Sequence, residues 1–325
     1  MPQFGNAKPS AGAFYDSGFT TIDDLLAMAV LYGLQGKGDC RVAIVTMSRP
    51  NLAVAGFVDT VQRYYRGAPG NFSQVPPVGM RTDGSAGETP AAFTAPFDLK
   101  KPDGTPVYQN QVKRVIETGD PITLIRNYME AQHDGNAFMV LAGPATNLAA
   151  ALDFPGLKPL IAAKVKQLVW AAGAFPDGAA DAHITADVPA ARKVLTEWPA
   201  PVVFCGSEIS KAIEFPGAEF EKQFPEGSPD HPVIDAYRAA GKMPYNTPSW
   251  AMSAVLYAAR SGAGLFRLSD VGTMAVDAQG RTSFATSANG KHRYLIADPE
   301  QQQKIVTALV ELAAAKRQQR RFRPQ

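Results

Sequence analysis

The chain's strand-to-helix junction reads Phe14-Tyr15-Asp16-Ser17-Gly18-Phe19-Thr20-Thr21-Ile22-Asp23-Asp24-Leu25. It places the carboxylates of Asp16, Asp23 and Asp24 where an apolar segment passes through a glycine-containing turn into an apolar helix at residues 25–34. Clustered carboxylates repel one another unless a cation or a shared proton lies between them. Hard oxygen ligands at such a junction are typical of a divalent metal site, and calcium or magnesium fits them best.

The same residues also fit a simpler interpretation. Thr21 is then a helix N-cap, and Asp23 and Asp24 in the first turn complement the helix dipole. A cap requires neither Asp16 nor Gly18, so the presence of both favours the metal site.

Length and composition bound the class of protein. The 325 residues allow one large domain or two modest ones. A hydrophobic fraction of 46% and a charged fraction of 19% are typical of a soluble globular protein with a substantial core.

The net charge of +2 indicates no particular partner. A basic run at residues 316–323 fits either a nucleic-acid tail or a solvated helix end, and the helix end is favoured. We therefore expect no nucleic-acid partner.

The two cysteines, Cys40 and Cys205, provide neither a disulfide framework nor a spaced metal site. No segment has the composition of a membrane span. Residues 1–8 lack the charged region and apolar run of a signal peptide. We expect a cytoplasmic protein, or an exported one whose signal peptide has been removed.

Apolar runs alternate with helical patterns along most of the chain. The predicted strands are residues 42–46, 138–141, 167–170 and 202–204. The predicted helices are residues 52–65, 121–132, 147–152, 159–166 and 188–198. This rhythm predicts an α/β fold with a doubly wound, mostly parallel sheet flanked by helices. Ligands of such sheets bind beyond the carboxyl ends of the strands, where residues 16–24, 46–51, 142–147 and 173–183 fall.

Two segments depart from the rhythm. Residues 71–110 are rich in proline and glycine and predict a long loop excursion. The last third predicts a helix ending at residue 260, short antiparallel strands at residues 271–277, 281–285 and 292–296, and a closing helix at residues 300–317. Without a repeat or a clear linker, a single domain over residues 1–325 is favoured.

With these pieces in place, the chain resembles the inosine/uridine-preferring nucleoside hydrolase superfamily, and more closely a bacterial branch of it. The Asp, glycine turn and Asp-Asp pair stand at residues 16–24, with extra residues inside the turn. A Gly-Pro-x-Thr-Asn turn into a helix stands intact at residues 143–147. Further similar segments are residues 187–195, 197–204, 249–257 and 290–295. The resemblance runs from about residue 13 to the final helix.

The resemblance implies an N-ribosyl hydrolase that cleaves the N-glycosidic bond of nucleosides with a metal-activated water. Calcium would be the metal, and a homodimer or homotetramer the assembly. Asp16 would be metal ligand and general base, with Asp24 and the backbone carbonyl of Ala142 as further ligands. The implied substrate-binding residues are Asp23, Asn51, Asp181, His183 and Trp250.

The chain departs from the family pattern at two positions. The family places another metal-binding aspartate beside the Trp250-like residue, where this chain has Ala251. It also has a Glu-x-Asn pair where this chain has Asp181-Ala182-His183. Loss of an anionic ligand lowers the affinity for a hard cation. A second hypothesis is therefore a weakened member that binds a nucleoside-like or sugar ligand without efficient turnover. A third is a carbohydrate or nucleotide hydrolase that acts on another glycosyl bond.

Some residues have competing interpretations. Asn147 is either a helix N-cap or an orienter of the metal loop, and capping is favoured. Trp250 either stacks on a base or belongs to the core. His133 and His231 lie in turn-like sequences and are expected at the surface. Cys205 is expected to pack in the core.

Overall fold

The computed structural model describes residues 9–66, 75–176 and 178–317. The strands of the first two thirds are β1 Ala11–Ser17, β2 Cys40–Met47, β3 Gly79–Met80, β4 Ala137–Ala142, β5 Val165–Trp170 and β6 Val202–Phe204. Those that follow are β7 Glu214–Pro216, β8 Asn246–Pro248, β9 Arg267–Leu268, β10 Gly272–Val276, β11 Thr282–Thr286 and β12 His292–Ile296.

Helices connect most of these strands. The helices up to β6 are α1 Ile22–Lys37, α2 Leu52–Arg66, α3 Pro121–Glu130, α4 Thr146–Asp153, α5 Leu157–Lys164, α6 Ala182–Thr185 and α7 Val188–Glu197. The later ones are α8 Ser207–Ala212, α9 Gly217–Glu221, α10 Pro232–Ala240, α11 Trp250–Ala259 and α12 Pro299–Ala313. Short 3-10 helices lie at Ala91–Phe93, Ala95–Asp98 and Val115–Glu117.

One sheet organises the fold, in the order β11-β10-β12-β6-β5-β4-β1-β2-β3, with β9 paired to β12. The pairs from β12 through β3 are parallel, whereas β10 runs antiparallel to both of its neighbours. Apolar clusters cover the two faces of the sheet, which explains why β4 is buried along its whole length. The predicted doubly wound, mostly parallel α/β fold is confirmed.

Several predicted elements need correction. β12 is parallel to β6 and antiparallel only to β9 and β10, so it extends the main sheet. The helix predicted to reach residue 166 ends at Lys164, because β5 begins at Val165 and pairs with β4. The helices predicted to end at residues 132 and 317 end at Glu130 and Ala313.

The predicted excursion at residues 71–110 is not wholly irregular. Residues 71–74 lie outside the described residues, and the remainder contains β3 and two of the 3-10 helices. β3 extends the sheet because Gly79 and Met80 pair with Thr46 and Met47 of β2.

His231 is buried, contrary to the surface position expected from its turn-like sequence. Its ring packs among Tyr64, Tyr65 and Phe224, and its Nε2 lies 3.1 Å from the backbone oxygen of Ala315. The segment after α12 therefore covers a histidine that local sequence places at the surface. His133 is exposed and Cys205 is buried, as expected. Across the described parts of the chain, no helix is both long and apolar enough to span a membrane.

Helix α1 is buried on all sides over residues 22–34, and α11 and α12 pack against it. Gly33 permits the closest of these approaches. A Cβ atom there would stand 2.3 Å from the backbone oxygen of Leu312 in α12.

We expect Gly33→Ala to lower the free energy of unfolding by about 1–3 kcal/mol, because a methyl group must displace backbone. Alanine is intrinsically better than glycine in a helix by roughly 1 kcal/mol, so a loss would report the close approach itself. Urea unfolding followed by circular dichroism measures the effect. Gly262→Ala, where no atom lies within 4 Å of the added methyl, is the matched control. Equal stability of the two variants would contradict the α1–α12 packing.

Candidate active site

The carboxyl ends of β5, β4, β1 and β2 meet at one edge of the sheet, because these strands are adjacent and parallel. The register places Asp16 between Thr46 of β2 and Leu141 of β4. The turns predicted to carry the site therefore come together at this edge.

Asp16 is buried at this edge, with only 2% of its surface exposed. Its Oδ2 accepts hydrogen bonds from Thr46 Oγ1 at 2.5 Å and from Asn147 Nδ2 at 2.6 Å. Its Oδ1 has no partner among the described residues. Burial raises the pKa of Asp16 to about 7, against the opposing effects of these two hydrogen bonds and of the Arg81 charge. One oxygen is thus fixed and the other is free to accept a proton near neutral pH.

Asn147 holds Asp16 and does not cap a helix. The N-cap of α4 is Ala145, so Asn147 lies inside the first turn. Its Nδ2 also donates to the backbone oxygen of Met47 at 3.1 Å, which ties α4 to the end of β2. The favoured capping interpretation was wrong, because the helix begins earlier than the Gly-Pro turn suggested.

Asp23 lies at the start of α1 and joins it to α11. Its Oδ2 accepts the backbone N–H of Ala251 at 2.7 Å, and its Oδ1 that of Met252 at 3.3 Å. Burial, followed by the charge of Asp24, raises the pKa of Asp23 to about 8. The two N–H groups belong to the first turn of α11, whose positive dipole end faces this carboxylate. Asp23 therefore ties α1 to α11, and its contact with a substrate stays a prediction.

Asp24 serves the start of its own helix. Its Oδ2 accepts the backbone N–H groups of Thr20 at 2.8 Å and of Thr21 at 3.0 Å. Thr21 is the N-cap residue of α1, so the simpler interpretation of this stretch is confirmed in that respect. Burial raises the pKa of Asp24, and the charge of His183 opposes that rise.

The carbonyl oxygen of Ala142, an expected metal ligand, already has two donors. It accepts the N–H of Gly18 at 3.1 Å and the hydroxyl of Ser17 at 3.0 Å. A carbonyl oxygen has two lone pairs, so both are occupied within the chain.

The residues present do not fit the implied calcium ion. The oxygen of Ala142 is occupied, Oδ2 of Asp24 is bound to backbone N–H groups, and the side chain of the buried Ala251 offers no ligand where the resemblance implies a further acid. The described residues contain no group of three or more His, Cys, Asp or Glu side chains placed to hold a metal. A calcium site takes six to eight oxygen ligands, waters included, and these contacts occupy protein oxygens on which the implied site would depend.

Two predicted substrate residues lie on the β5 side of this sheet edge. Asp181 caps α6, where its Oδ1 accepts the N–H groups of His183 and Ile184 and its Oδ2 that of Gly173. The ring of His183 is fixed by a contact of 2.7 Å between Nδ1 and the backbone oxygen of Ala171, and its charge acts on Asp24. The structure thus brings His183 to the carboxylates. A substrate-binding role for either residue stays a prediction.

Two more predicted substrate residues lie at the starts of helices. Asn51 accepts the N–H of Val54 at 3.2 Å and donates to Thr89 Oγ1 at 2.9 Å, so it joins α2 to the loop that follows β3. Trp250 is the half-buried first residue of α11, and its backbone oxygen accepts the Cys205 thiol at 3.4 Å. Their contacts with a substrate also stay predictions.

Local sequence did not identify Thr46 and Ser48 as site residues. Thr46 matters because strand register sets it beside Asp16, and the hydroxyl of Ser48 is buried without a partner among the described residues. The available signal was their place at the end of a predicted buried strand.

We expect neither calcium nor a chelator to change the thermal stability of the wild-type chain, because a ligand stabilises a protein only by binding its folded state. Differential scanning fluorimetry with millimolar CaCl2, with MgCl2 at matched ionic strength and with EDTA tests this, alongside metal analysis. A melting temperature that rises with calcium concentration, but not with magnesium, would show that a calcium site forms.

We expect Asp16→Asn to stabilise the chain increasingly as the pH rises. The pKa of Asp16 is raised on folding, so its favourable contribution is present at low pH and is lost as the pH rises through about 7. One unit of pKa corresponds to about 1.4 kcal/mol, so the gain at about pH 8 is at most roughly 4 kcal/mol. Urea unfolding between about pH 4 and pH 8 measures it, with the exposed Asp103→Asn as control. A stability difference that does not change with pH would show that Asp16 ionises normally.

Comparisons with known proteins agree with this architecture. A family model described as inosine-uridine preferring nucleoside hydrolase matches residues 14–317. The fold is similar to that of a plant nucleoside hydrolase, with 20% identity, a TM-score of 0.69, and 94% of this chain and 100% of that chain covered. A comparison with curated protein sequences finds no match.

Two bacterial structures are also similar. The inosine-uridine preferring nucleoside hydrolase from Bacillus anthracis has 15% identity and a TM-score of 0.65, with 94% of this chain and 99% of that chain covered. The purine-preferring ribonucleoside hydrolase from Gardnerella vaginalis has 17% identity and a TM-score of 0.65, with 93% and 99% covered. These identities show a shared fold, and a bacterial branch stays a prediction. Since the family model covers most of its length, the chain belongs to the inosine-uridine preferring nucleoside hydrolase family.

Proposed function

We propose that this chain is an N-ribosyl hydrolase that cleaves the N-glycosidic bond of nucleoside-like substrates. Membership of the family supports the reaction class. The observation that carries the proposal is the Asp16 carboxylate, which is buried, fixed through one oxygen by Thr46 and Asn147, and unpartnered at the other within the described chain.

Asp16 acts as the general base. A water molecule attacks the anomeric carbon of the ribosyl group, and Oδ1 of Asp16 takes the water proton. The bond to the base nitrogen breaks with its electron pair staying on the base, which is protonated by solvent. A base works best when its pKa lies near the working pH, and burial raises the pKa of Asp16 to about 7. Thr46 and Asn147 keep the carboxylate from rotating, so Oδ1 stays directed at the water.

The ligand lies against the surrounding strand ends. In this proposal His183 contacts it from the β5 side and Trp250 from the start of α11, while Asn51 and Asp181 shape the pocket through the backbone they hold. Asp23 fixes α11 through backbone N–H groups, and the ribose contact implied for it stays a prediction. No step passes through calcium, because the residues present do not fit it. A dimer or tetramer, and the compartment, stay predictions.

A second candidate function is binding of a nucleoside-like ligand without efficient turnover. The observation in its favour is that Asp23 and Asp24 are engaged by backbone N–H groups, and the resemblance implies a further acid at the position of Ala251. Such a site still binds the ligand, but its carboxylates are no longer free to stabilise the positive charge that develops on the ribosyl group as the glycosidic bond breaks.

We expect the wild-type chain to hydrolyse 4-nitrophenyl β-D-riboside in the presence of EDTA, and Asp16→Asn to lower kcat by about 10²–10⁴, the usual contribution of a general base. Release of nitrophenol measures turnover, and Asp103→Asn in an exposed loop is the matched control. Unchanged turnover in Asp16→Asn would contradict the proposal. Nucleoside binding by calorimetry without any turnover would favour the second candidate.

A further inference from the structure

Two arginines stand at the same sheet edge as Asp16. Arg49 follows β2 and Arg81 follows β3, and these strands are paired through Met47 and Met80. The N–H of Arg81 donates to the backbone oxygen of Met47 at 3.3 Å, so the two strand ends stay together beyond the sheet. The charge of Arg81 reaches Asp16, since it lowers the pKa of that carboxyl. The β2–β3 side of this sheet edge therefore carries two arginines, whereas the α1 side carries Asp23 and Asp24.

The guanidinium of Arg49 has no ion-pair or hydrogen-bond partner in the described parts of the chain. It is half-buried, unlike a freely solvated surface arginine. Arg81, by comparison, is paired with the exposed Asp83 at 2.6 Å. A partly buried, unpaired guanidinium at a strand end is a binding group for an anion.

Gly87 makes room for this guanidinium, and Gly18 lies at ordinary contact distance from it. A Cβ atom on Gly18 would stand 3.7 Å from Arg49 Nε, and one on Gly87 would stand 2.6 Å from its Nη1. Gly87 has a φ of +63°, so both its conformation and its lack of a side chain suit a loop that crosses the guanidinium. Asn51 holds that loop by donating to the backbone oxygen of Ala86 at 3.4 Å and to Thr89.

Ser48 adds an independent polar group at the same place. Its side chain is 7% exposed, and its hydroxyl has no partner in the described structure. The hydroxyl lies 3.2 Å from the position a Cβ on Gly143 would take, and that position is 2.5 Å from the backbone nitrogen of Gly18. The Ser48 hydroxyl and the Arg49 guanidinium thus both lie near the place where the turn at Gly18 meets the turn at Gly143. Buried polar groups of proteins almost always have partners, so an unpaired hydroxyl here points to a ligand atom.

We propose that the ligand is a phosphorylated ribosyl compound, a nucleoside 5′-monophosphate, whose phosphate is held by Arg49 and Ser48. This inference rests on the proposed function, because it takes Asp16 to mark the anomeric carbon. A planar guanidinium binds two phosphate oxygens at once, a hydroxyl donates to another, and glycines let the phosphate approach the backbone. Arg49 and Ser48 are then specificity residues of the pocket.

Calorimetry on the full chain tests the proposal with uridine against its 5′-monophosphate, inosine against its 5′-monophosphate, and inorganic phosphate alone. We expect at least one monophosphate to bind about tenfold or more tightly than its nucleoside, with a preference that weakens at high salt. Arg49→Ala should abolish the preference while leaving nucleoside affinity within about twofold, whereas Arg49→Lys should keep part of it.

Two further variants make the test independent of one substitution. Gly87→Ala places a methyl group against the guanidinium and should reduce the preference without removing a charge. Arg126→Ala removes an exposed arginine from α3 and should change neither affinity. Equal affinity for each nucleoside and its monophosphate, or an equal loss of both in Arg49→Ala, would overturn the inference.

Failure of this inference is distinguishable from failure of the proposed function. If the riboside reporter is hydrolysed and monophosphates gain nothing from Arg49, the hydrolase proposal stands and the phosphate site is wrong. If monophosphates bind through Arg49 and no ribosyl compound is hydrolysed, the phosphate site stands and the hydrolase proposal is wrong.

Discussion

The contact on which this edge of the molecule depends is the one between the Asp23 carboxylate and the first turn of α11. It joins residues that are far apart in sequence, and it fixes α1 against a helix that covers the same face of the sheet. A buried carboxylate is costly unless donors compensate it, and the N–H groups of Ala251 and Met252 supply them. An aspartate at position 251 would add another carboxylate at the helix end that Asp23 already occupies. The alanine and the capping role of Asp23 are therefore consistent with each other.

The three acids of the opening motif are stabilised in different ways. Asp23 and Asp24 are bound by backbone N–H groups at the starts of α11 and α1. Asp16 is bound by a hydroxyl and an amide, and only through Oδ2. Backbone donors at a helix start cannot move without moving the helix, so the first two acids are committed to the fold. Oδ1 of Asp16 has no partner in the described chain, and it is the oxygen to which the proposed function assigns the water proton.

The sequence predicted the fold class well because its decisive signal is local. Short runs such as residues 202–204, rich in Val and Phe, are typical of strands buried on both faces, and their alternation with helical segments indicates a parallel sheet. Element ends were less predictable, since β5 begins at Val165 only because it pairs with β4. Turn motifs also predicted which segments meet at the sheet edge, as Asp16 and Asn147 show.

What each site residue contacts could not be predicted, because those contacts are long-range. The spacing of Asp23 and Asp24 is the same whether they bind a cation, a ribose or a helix end, and only the position of α11 decides between these. No sequence motif marks Arg49 or Ser48 as a site residue. Their proximity to Gly18 and Gly143 follows from the pairing of β2 with β1 and of β1 with β4. The pocket therefore has an acidic side encoded in one motif and a cationic side created by the topology. The proposed ligand matches this arrangement, because a ribosyl phosphate combines a neutral, hydroxyl-bearing part for the Asp16 side with an anionic part for the Arg49 side.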